Sequence, residues 1–339
     1  MRELNNDLLH EELLKQKPLL AFDENADYPA WKAQVKEKYV ELLGLDDIAK
    51  NACDIKVEIE EKVQMDGYIR YRYVFECEKG CYLPCYLLIP DTGKDKYSVL
   101  VCLQGHTAGF HISIGVQKYP GDERGLSTST FALDGVKNGY AALCIEQRGM
   151  GERQTPLQHR GRVEGEGCPC YYTAMTALLL GRTLLGERVW DVSRAIDSLS
   201  YFDGLDLDDI TCVGNSGGGT ATYYAACYDE RIKLAIPSCS VCSYQESITY
   251  TWHCSCNYIP HAAKYFDMGE LAALIAPRKL MLVNGKNDKI FHIEGTREVY
   301  SVIEKIYEKE GAKDACQLLE TPYEHFFDKE LIFGKIARK

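Results

Sequence analysis

The chain has 339 residues, a formal net charge of −11, and 46% apolar and 26% charged residues, an ordinary balance for a globular protein of one large α/β domain or two smaller ones. The basic residues form no run, which argues against nucleic acid or an anionic membrane as a partner. No apolar run could cross a bilayer and the start lacks the pattern of a secretion signal, so we expect a cytoplasmic protein that does not bind a membrane.

The first predicted element is a helix. Asp27 can cap it, and Gly44 can end it. Its apolar face carries residues at helical spacing: Trp31, Val35, Tyr39 and Leu42. We therefore predict an N-terminal helical extension over residues 1–50, followed by one catalytic domain over residues 51–339.

The pattern then changes to strands. Residues 57–60, 68–75 and 82–89 are typical of antiparallel strands, with a hairpin turn at residues 66–67. Further short apolar runs follow, each typical of a buried parallel strand: residues 97–103, 141–145, 210–213, 234–236 and 280–283. Amphipathic helices alternate with them. This order predicts a doubly wound, mostly parallel sheet with helices on both faces.

Two long segments interrupt this alternation. Residues 104–135 follow a predicted strand and are rich in Gly, Ser and Thr, and residues 239–268 contain aromatic residues and cysteines without a clear period. Ligands of α/β proteins bind in loops at the carboxyl ends of strands. We expect at least one of these segments to line a pocket.

The most informative motif is the Gly-x-Ser-x-Gly sequence of residues 214–218, which has Ser216 at its centre. A run of strand formers precedes it and a helix-like stretch follows, which is the context in which this motif marks a nucleophilic serine. An ordinary serine in a glycine-rich turn is the alternative. A candidate carboxylate and a candidate histidine base follow in the chain, and they favour a nucleophilic serine.

A serine nucleophile needs a base and a carboxylate, and in folds of this class the order along the chain is Ser, Asp or Glu, then His. Asp288 follows the predicted strand at residues 279–283. After Asp288 the chain contains only two histidines, His292 and His325. His292 lies too close to Asp288 in sequence to sit at the end of another strand, so we predict a triad of Ser216, Asp288 and His325.

Ester cleavage also needs hydrogen-bond donors for the developing oxyanion. The main-chain N–H of Gly217, directly after the nucleophile, is the expected first donor. The second is predicted in the loop after the first parallel strand, where Gly105 permits a close approach of the backbone and the main-chain N–H of His106 follows. The pair Arg148 and Gly149, after another strand, is expected to brace the loops around the site.

Fifteen cysteines is a high count. Because it is odd and no secretion signal precedes it, reduced thiols that behave as small apolar residues are favoured. Three pairs lie close in sequence: Cys168/Cys170, Cys239/Cys242 and Cys254/Cys256. Only one of the three has the Cys-x-x-Cys spacing that is usual for zinc. The sequence therefore predicts no metal and no cofactor.

Several segments resemble the α/β-hydrolase superfamily, and more narrowly its dienelactone-hydrolase-like and acetyl xylan esterase-like carboxylesterases. They are residues 103–106, 147–151, 190–197, 214–219, 229–232 and 275–278. The resemblance extends from about residue 28 to the end. It implies the α/β-hydrolase fold, serine esterase chemistry without a metal or cofactor, and the triad named above. The chain departs from the family pattern at Glu324, where glycine is common, at His292, where proline is common, and in the cysteine-rich residues 239–256.

The sequence thus predicts a serine carboxylic-ester hydrolase that cleaves short acyl esters, foremost acetyl esters of carbohydrates or other small alcohols, through an acyl-enzyme. A small-molecule ester is the expected partner, and the oligomeric state, a homo-oligomer included, is left open. Alternatives are a serine peptidase or amidase, a thioesterase with the same triad, and a non-catalytic binding protein on a hydrolase scaffold. The lack of room for a propeller domain argues against the peptidase, and an ordered triad argues against the binding protein.

Overall fold

A nine-stranded mixed sheet organises the part of the chain that the computed structural model describes, which is residues 4–5, 7–154 and 170–338. The strands are β1 (Glu58–Met65), β2 (Tyr68–Glu78), β3 (Cys81–Pro90), β4 (Tyr97–Leu103), β5 (Ala141–Ile145), β6 (Leu205–Asn215), β7 (Ile232–Ser238), β8 (Lys279–Gly285) and β9 (Cys316–Thr321). Their order in the sheet is β1-β2-β3-β5-β4-β6-β7-β8-β9. Strands β1, β2, β3 and β5 pair antiparallel, whereas β5, β4, β6, β7, β8 and β9 pair parallel.

Helices precede the sheet, connect its parallel strands and follow its last strand. They are α1 (Asp7–Leu14), α2 (Tyr28–Leu43), α3 (Leu45–Ala49), α4 (Glu123–Thr128), α5 (Phe131–Lys137), α6 (Cys170–Leu179), α7 (Leu184–Ser198), α8 (Gly217–Tyr228), α9 (Ala262–Tyr265), α10 (Met268–Leu271), α11 (Ile293–Lys309) and α12 (Lys329–Ile336). The carboxyl ends of the parallel strands all meet one edge of the sheet. Side chains on loops after different strands can therefore converge there.

The central strands are buried on both faces, which explains why they read as continuous apolar runs. In β4, Val99 and Val101 pack into the core shared with α2, α7, α8 and α11. Their neighbours Leu100 and Cys102 point to the opposite face and pack with α5 and α12. The prediction of a mostly parallel sheet with helices on both faces is confirmed.

The predicted N-terminal helix is α2. The Asp27 carboxylate accepts a hydrogen bond from the main-chain N–H of Ala30 at 3.2 Å, and Gly44 ends the helix in a left-handed conformation with φ of 72°. Leu43 is the buried residue at the end of the helix, and the predicted Leu42 is partly buried and packs against the same core. Trp31, Val35 and Tyr39 are each four residues apart, and the same step leads to Leu43. The predicted domain boundary near residue 50 stays a prediction.

The strand-borne cysteines agree with the sequence interpretation. Cys102, Cys144 and Cys212 are buried free thiols in β4, β5 and β6, and burial raises the pKa of each thiol. They therefore act as small apolar side chains in the sheet. Among the described residues, no helix combines the length and the apolar character that crossing a bilayer requires.

Candidate active site

Ser216 lies in a strained turn between β6 and α8. Its backbone has φ of 55° and ψ of −126°, a region that a non-glycine residue occupies at a cost of about 1–3 kcal/mol. The turn is held from both sides, because the Ser216 N–H donates to the Ser238 carbonyl at 2.9 Å and the Thr220 N–H donates to the Ser216 carbonyl at 2.8 Å. The turn places Ser216 at the carboxyl edge of the sheet.

The glycines around Ser216 allow this tight turn. A Cβ atom on Gly218 would overlap the main chain at Leu103, and one on Gly219 would overlap Ser238 and Ser240. A Cβ on Gly105 would lie 3.0 Å from the Asn215 carbonyl oxygen. Small residues are thus required because three stretches of main chain come together here.

Asp288 and His325 lie on the loops after β8 and β9, and they form a hydrogen-bonded pair. The distance between His325 Nδ1 and Asp288 Oδ2 is 2.8 Å. Asp288 Oδ1 accepts hydrogen bonds from the main-chain N–H groups of Ile290 at 2.8 Å and Phe291 at 3.1 Å. Burial raises the pKa of the Asp288 carboxyl, but His325 and these two amides hold that pKa below its ordinary value. Asp288 is therefore ionised and fixed, and it orients the His325 ring.

The end of β7 connects the serine turn with this pair. Ser238 binds the Ser216 N–H, and the next residue, Cys239, has its Sγ within 4.8 Å of the ligand atoms of Asp288 and His325. Burial, followed by the Asp288 charge, raises the pKa of the Cys239 thiol to about 12, so a neutral thiol lies beside the carboxylate. The structure gives no hydrogen bond between Ser216 Oγ and His325, both within the described residues, and such bonds are often long before substrate binds.

The alternative base, His292, lies elsewhere. Its Nδ1 is 3.1 Å from the Glu246 carboxylate, and its ring packs edge-on against Tyr250. His292 directly precedes α11, and within the described part of the chain its ring forms its ion pair with Glu246 and no hydrogen bond with Asp288. Of the two histidines that follow Asp288, the structure brings His325 to the carboxylate.

The two residues predicted to supply the oxyanion donors, Gly217 and His106, are neighbours in the structure. Gly217 is the first residue of α8, and the first N–H groups of a helix have no partner within it. The His106 ring lies directly against Gly217, because a Cβ on Gly217 would be 2.7 Å from His106 Cε1. The sequence predicts only a main-chain role for His106, and this side-chain contact is not among its predictions.

The His106 side chain also belongs to a group that we call the thiol–imidazole cluster: His106, Cys170, Cys254 and Cys256. Their potential ligand atoms all lie within 4.8 Å of one another. The prediction of no metal rested on spacing within each cysteine pair, whereas the cluster draws on three separate segments. His106 lies 64 residues before Cys170 and 150 before Cys256, so no local spacing pattern indicates the cluster. Cys168 lies outside the described residues.

Glu146 joins the loops after β4 and β5. Its buried carboxylate accepts hydrogen bonds from Gln104 Nε2 at 3.1 Å, and from the main-chain N–H groups of Phe110 and Glu152 at 3.2 Å each. Burial raises the pKa of this carboxyl to about 7, against the effect of the amides. Gln147 adds a further link, because its Nε2 donates to the Gln104 carbonyl at 2.6 Å. These bonds fix the loop that carries His106.

Arg148 is part of a buried ion network rather than a free cation. Its guanidinium donates to Asp191 at 2.9 Å and to Glu78 at 2.9 Å. Arg153 donates to the second oxygen of Asp191 at 2.6 Å. Burial raises the pKa of the Asp191 carboxyl, but the two arginines outweigh it and lower that pKa to about 2. This geometry agrees with the expected bracing role of Arg148.

We expect Asp191→Asn to lower the free energy of unfolding by about 3–5 kcal/mol at pH 7, because it removes the carboxylate that Arg153 pairs with and one of the carboxylates that Arg148 pairs with, all of them buried. The folded-state pKa of Asp191 lies below its ordinary value of 3.8, so its contribution is complete above that value and is lost as the pH falls towards about 2. Denaturant unfolding should show a smaller difference in unfolding free energy between wild type and Asp191→Asn at pH 3 than at pH 7.

Asp197→Asn is the matched control, because Asp197 pairs with Arg194 and Arg231 where its side chain is 31% exposed. Its cost should stay below about 1 kcal/mol. Equal losses of unfolding free energy in Asp191→Asn and Asp197→Asn would contradict the larger contribution that we expect from the buried network.

Comparisons with known proteins show the family and the fold of the chain. A model described as the Abhydrolase family matches residues 4–185, more than half of the chain, and the match ends before Ser216. The chain is 28% identical over 204 residues to the protein named "Putative hydrolase YtaP" from Bacillus subtilis (strain 168). That alignment covers 59% of this chain and 64% of the length of its relative, less than two thirds.

Solved structures share the fold over nearly the whole chain. A protein described as a putative acetyl xylan esterase from Bacteroides fragilis NCTC 9343 superposes with a TM-score of 0.77 at 17% identity, covering 98% of this chain and 94% of the other. A glucuronoyl esterase from Solibacter usitatus gives a TM-score of 0.64 at 14% identity, covering 94% and 96%. The resemblance noted in the sequence is confirmed: the chain belongs to the abhydrolase family and has the α/β-hydrolase fold.

Proposed function

We propose that the protein is a serine carboxylic-ester hydrolase that acts on short acyl esters, foremost acetyl esters of carbohydrates, with Ser216, Asp288 and His325 as its triad. One observation carries the proposal: a strained Ser216 turn and a hydrogen-bonded Asp288–His325 pair lie at the same edge of the sheet. The chain order Ser, Asp, His supports it.

In this mechanism Ser216 Oγ attacks the acyl carbon and its proton passes to His325 Nε2. Asp288 binds the Nδ1–H, which leaves Nε2 free to accept that proton. The tetrahedral intermediate collapses, and His325 returns the proton to the departing alcohol. Water then attacks the acyl-enzyme with His325 again as base, which releases the acid and restores Ser216.

The developing oxyanion is stabilised by the main-chain N–H groups of Gly217 and His106. The close approach of the Gly105 loop to Asn215 and of the His106 ring to Gly217 supports this pairing. Donors fixed in advance cost no reorganisation during the reaction, and the loss of one typically costs about 3–4 kcal/mol of barrier. Their position depends on the loop that Glu146 anchors.

Exposed aromatic rings support a carbohydrate substrate. Trp252, next to His253 in the segment of residues 239–268, is 76% exposed, and the partly exposed Tyr323 and Phe326 flank His325 in the chain. The segment is tied to the site, because the ring of His253 packs on Phe291 and that of Phe291 stacks with His325. Exposed apolar rings beside a polar site mark a binding surface. Two fold neighbours are named as acetyl xylan and glucuronoyl esterases.

A substrate panel tests this assignment. We expect kcat/KM to be highest for acetyl esters, including acetylated xylo-oligosaccharides, and to fall at least about tenfold for octanoyl esters, since pocket fit discriminates small apolar groups by such factors. Aminoacyl amides should not be cleaved at a comparable rate. Amide cleavage as fast as acetyl ester cleavage would instead indicate a peptidase or amidase.

A further inference from the structure

The thiol–imidazole cluster is assembled from three segments that are distant in sequence. His106 lies on the loop after β4, Cys170 begins α6, and Cys254 and Cys256 belong to residues 239–268. The distance to His106 Nε2 is 3.6 Å from Cys170 Sγ and 3.5 Å from Cys256 Sγ. The three cysteines are buried, whereas His106 is exposed. The imidazole therefore closes a pocket of sulfur atoms from the solvent side.

These distances fit a tetrahedral metal site. Zinc binds cysteine sulfur at about 2.3 Å and histidine nitrogen at about 2.0–2.1 Å, which separates sulfur from nitrogen by about 3.6 Å at a tetrahedral angle. The two measured separations agree with that value. All four donor atoms lie within 4.8 Å of one another, so a small movement of the side chains suffices to bring each to bonding distance.

A buried arginine supplies a second, independent observation. Arg188 is only 1% exposed, and its Nη2 donates to Cys170 Sγ at 3.1 Å. The same guanidinium holds the Arg148 carbonyl through Nε at 3.1 Å and Nη2 at 2.7 Å. A divalent ion with three thiolates carries a net charge of −1, and buried charges are stabilised by a partner of opposite sign. Arg188 provides that partner.

We propose that His106, Cys170, Cys254 and Cys256 bind one divalent, thiophilic metal ion, Zn²⁺ in preference, as a structural site. Four protein ligands complete a tetrahedron and leave no open position, as in structural rather than catalytic zinc sites. The ion would tie the His106 loop to α6 and to residues 239–268, beside Gly217. The site does not depend on the proposed esterase activity.

Metal analysis of the purified protein tests this directly. Protein prepared without a metal-affinity tag should contain about one zinc per chain. Cys170→Ser and Cys256→Ser should each lose most of it. Cys227→Ser is the matched control, because Cys227 is also buried and donates to a carbonyl at 3.4 Å but lies outside the cluster; it should retain the metal.

Substitution of His106 keeps the test valid if the buried cysteine variants fail to fold. His106→Ala removes an exposed side chain and retains the main-chain amide, and it should weaken zinc binding at least about tenfold, since even indirect partners of a metal change affinity by that factor. Chelator-treated wild type should bind Co²⁺ at one equivalent, with thiolate-to-cobalt charge-transfer absorption and intense visible bands of tetrahedral cobalt.

Two results for the wild-type protein would overturn the proposal. One is a wild-type protein that contains no zinc and whose fully reduced apo form shows no cobalt charge-transfer band. The other is a thiol titration of the denatured, unreduced protein that finds two cysteines of the cluster oxidised, which would indicate a disulfide in place of the metal. Retention of zinc by Cys170→Ser and Cys256→Ser together would contradict it equally.

Discussion

Ser216→Ala is expected to lower kcat for p-nitrophenyl acetate by about 10⁴- to 10⁶-fold, because losing the nucleophile of a serine triad removes the acyl-enzyme route altogether. The residual rate should come from substrate binding and the oxyanion donors alone. The fold should be retained, since alanine removes only a hydroxyl, and Ser216 holds the turn through its main-chain N–H and carbonyl. Steady-state kinetics with a matched unfolding curve measures both effects.

The control for this variant is Ser240→Ala. Ser240 is 1% exposed and lies near the same turn, and its hydroxyl makes no hydrogen bond within the described part of the chain. Its loss should change kcat by less than about threefold, as expected for a side chain outside the triad. If Ser216→Ala kept more than about a tenth of the activity, the hydrolysis would proceed without Ser216 as nucleophile.

Asp288→Asn is expected to lower kcat by about 10⁴-fold, the loss that the corresponding change causes in another serine triad. The carboxylate Oδ2 accepts from His325 Nδ1 at 2.8 Å, so Nε2 is left as the base. An amide NH₂ in that position would donate to Nδ1 and force the proton onto Nε2. Oδ1 can still accept from Ile290 and Phe291, so the loop should keep its shape.

Glu324→Gln is the matched control for the carboxylate. Glu324 directly precedes His325 in the chain, but its side chain is 71% exposed and faces Lys289 at 3.7 Å. Because exposed charges at this separation interact weakly, kcat should change by less than about threefold. A large loss of kcat in Glu324→Gln together with near-normal kcat in Asp288→Asn would show that Asp288 is not the carboxylate of the triad.

Local signals in the sequence predicted the sheet and the serine turn. The strands β4, β5 and β6 are short apolar runs because both of their faces are covered, and this pattern does not depend on distant residues. The Gly-x-Ser-x-Gly motif predicted the turn at Ser216 because the close approach of Leu103 excludes larger residues beside it. Chain order selected Asp288 and His325, and the structure pairs them.

Features that depend on the meeting of distant segments were not predictable in the same way. The thiol–imidazole cluster joins residues up to 150 positions apart, and no spacing rule along one chain describes such a set. Arg148 was expected to brace the site, but its partners Glu78 and Asp191 lie on β2 and α7. No local sequence pattern indicates that Arg148 pairs with these two distant carboxylates. Leu42 and Leu43 both contact the core, and the position of the core relative to α2 makes Leu43 the more buried of the two.

The most direct measurement is covalent labelling with a fluorophosphonate, followed by intact-mass analysis and peptide mapping. The proposed mechanism predicts one adduct per chain, located on Ser216, formed far more slowly in Asp288→Asn and absent in Ser216→Ala, because only a serine activated by His325 attacks the phosphorus. An adduct on another residue, or a rate of labelling that Asp288→Asn leaves unchanged, would contradict the assignment of Ser216, His325 and Asp288 as a working triad.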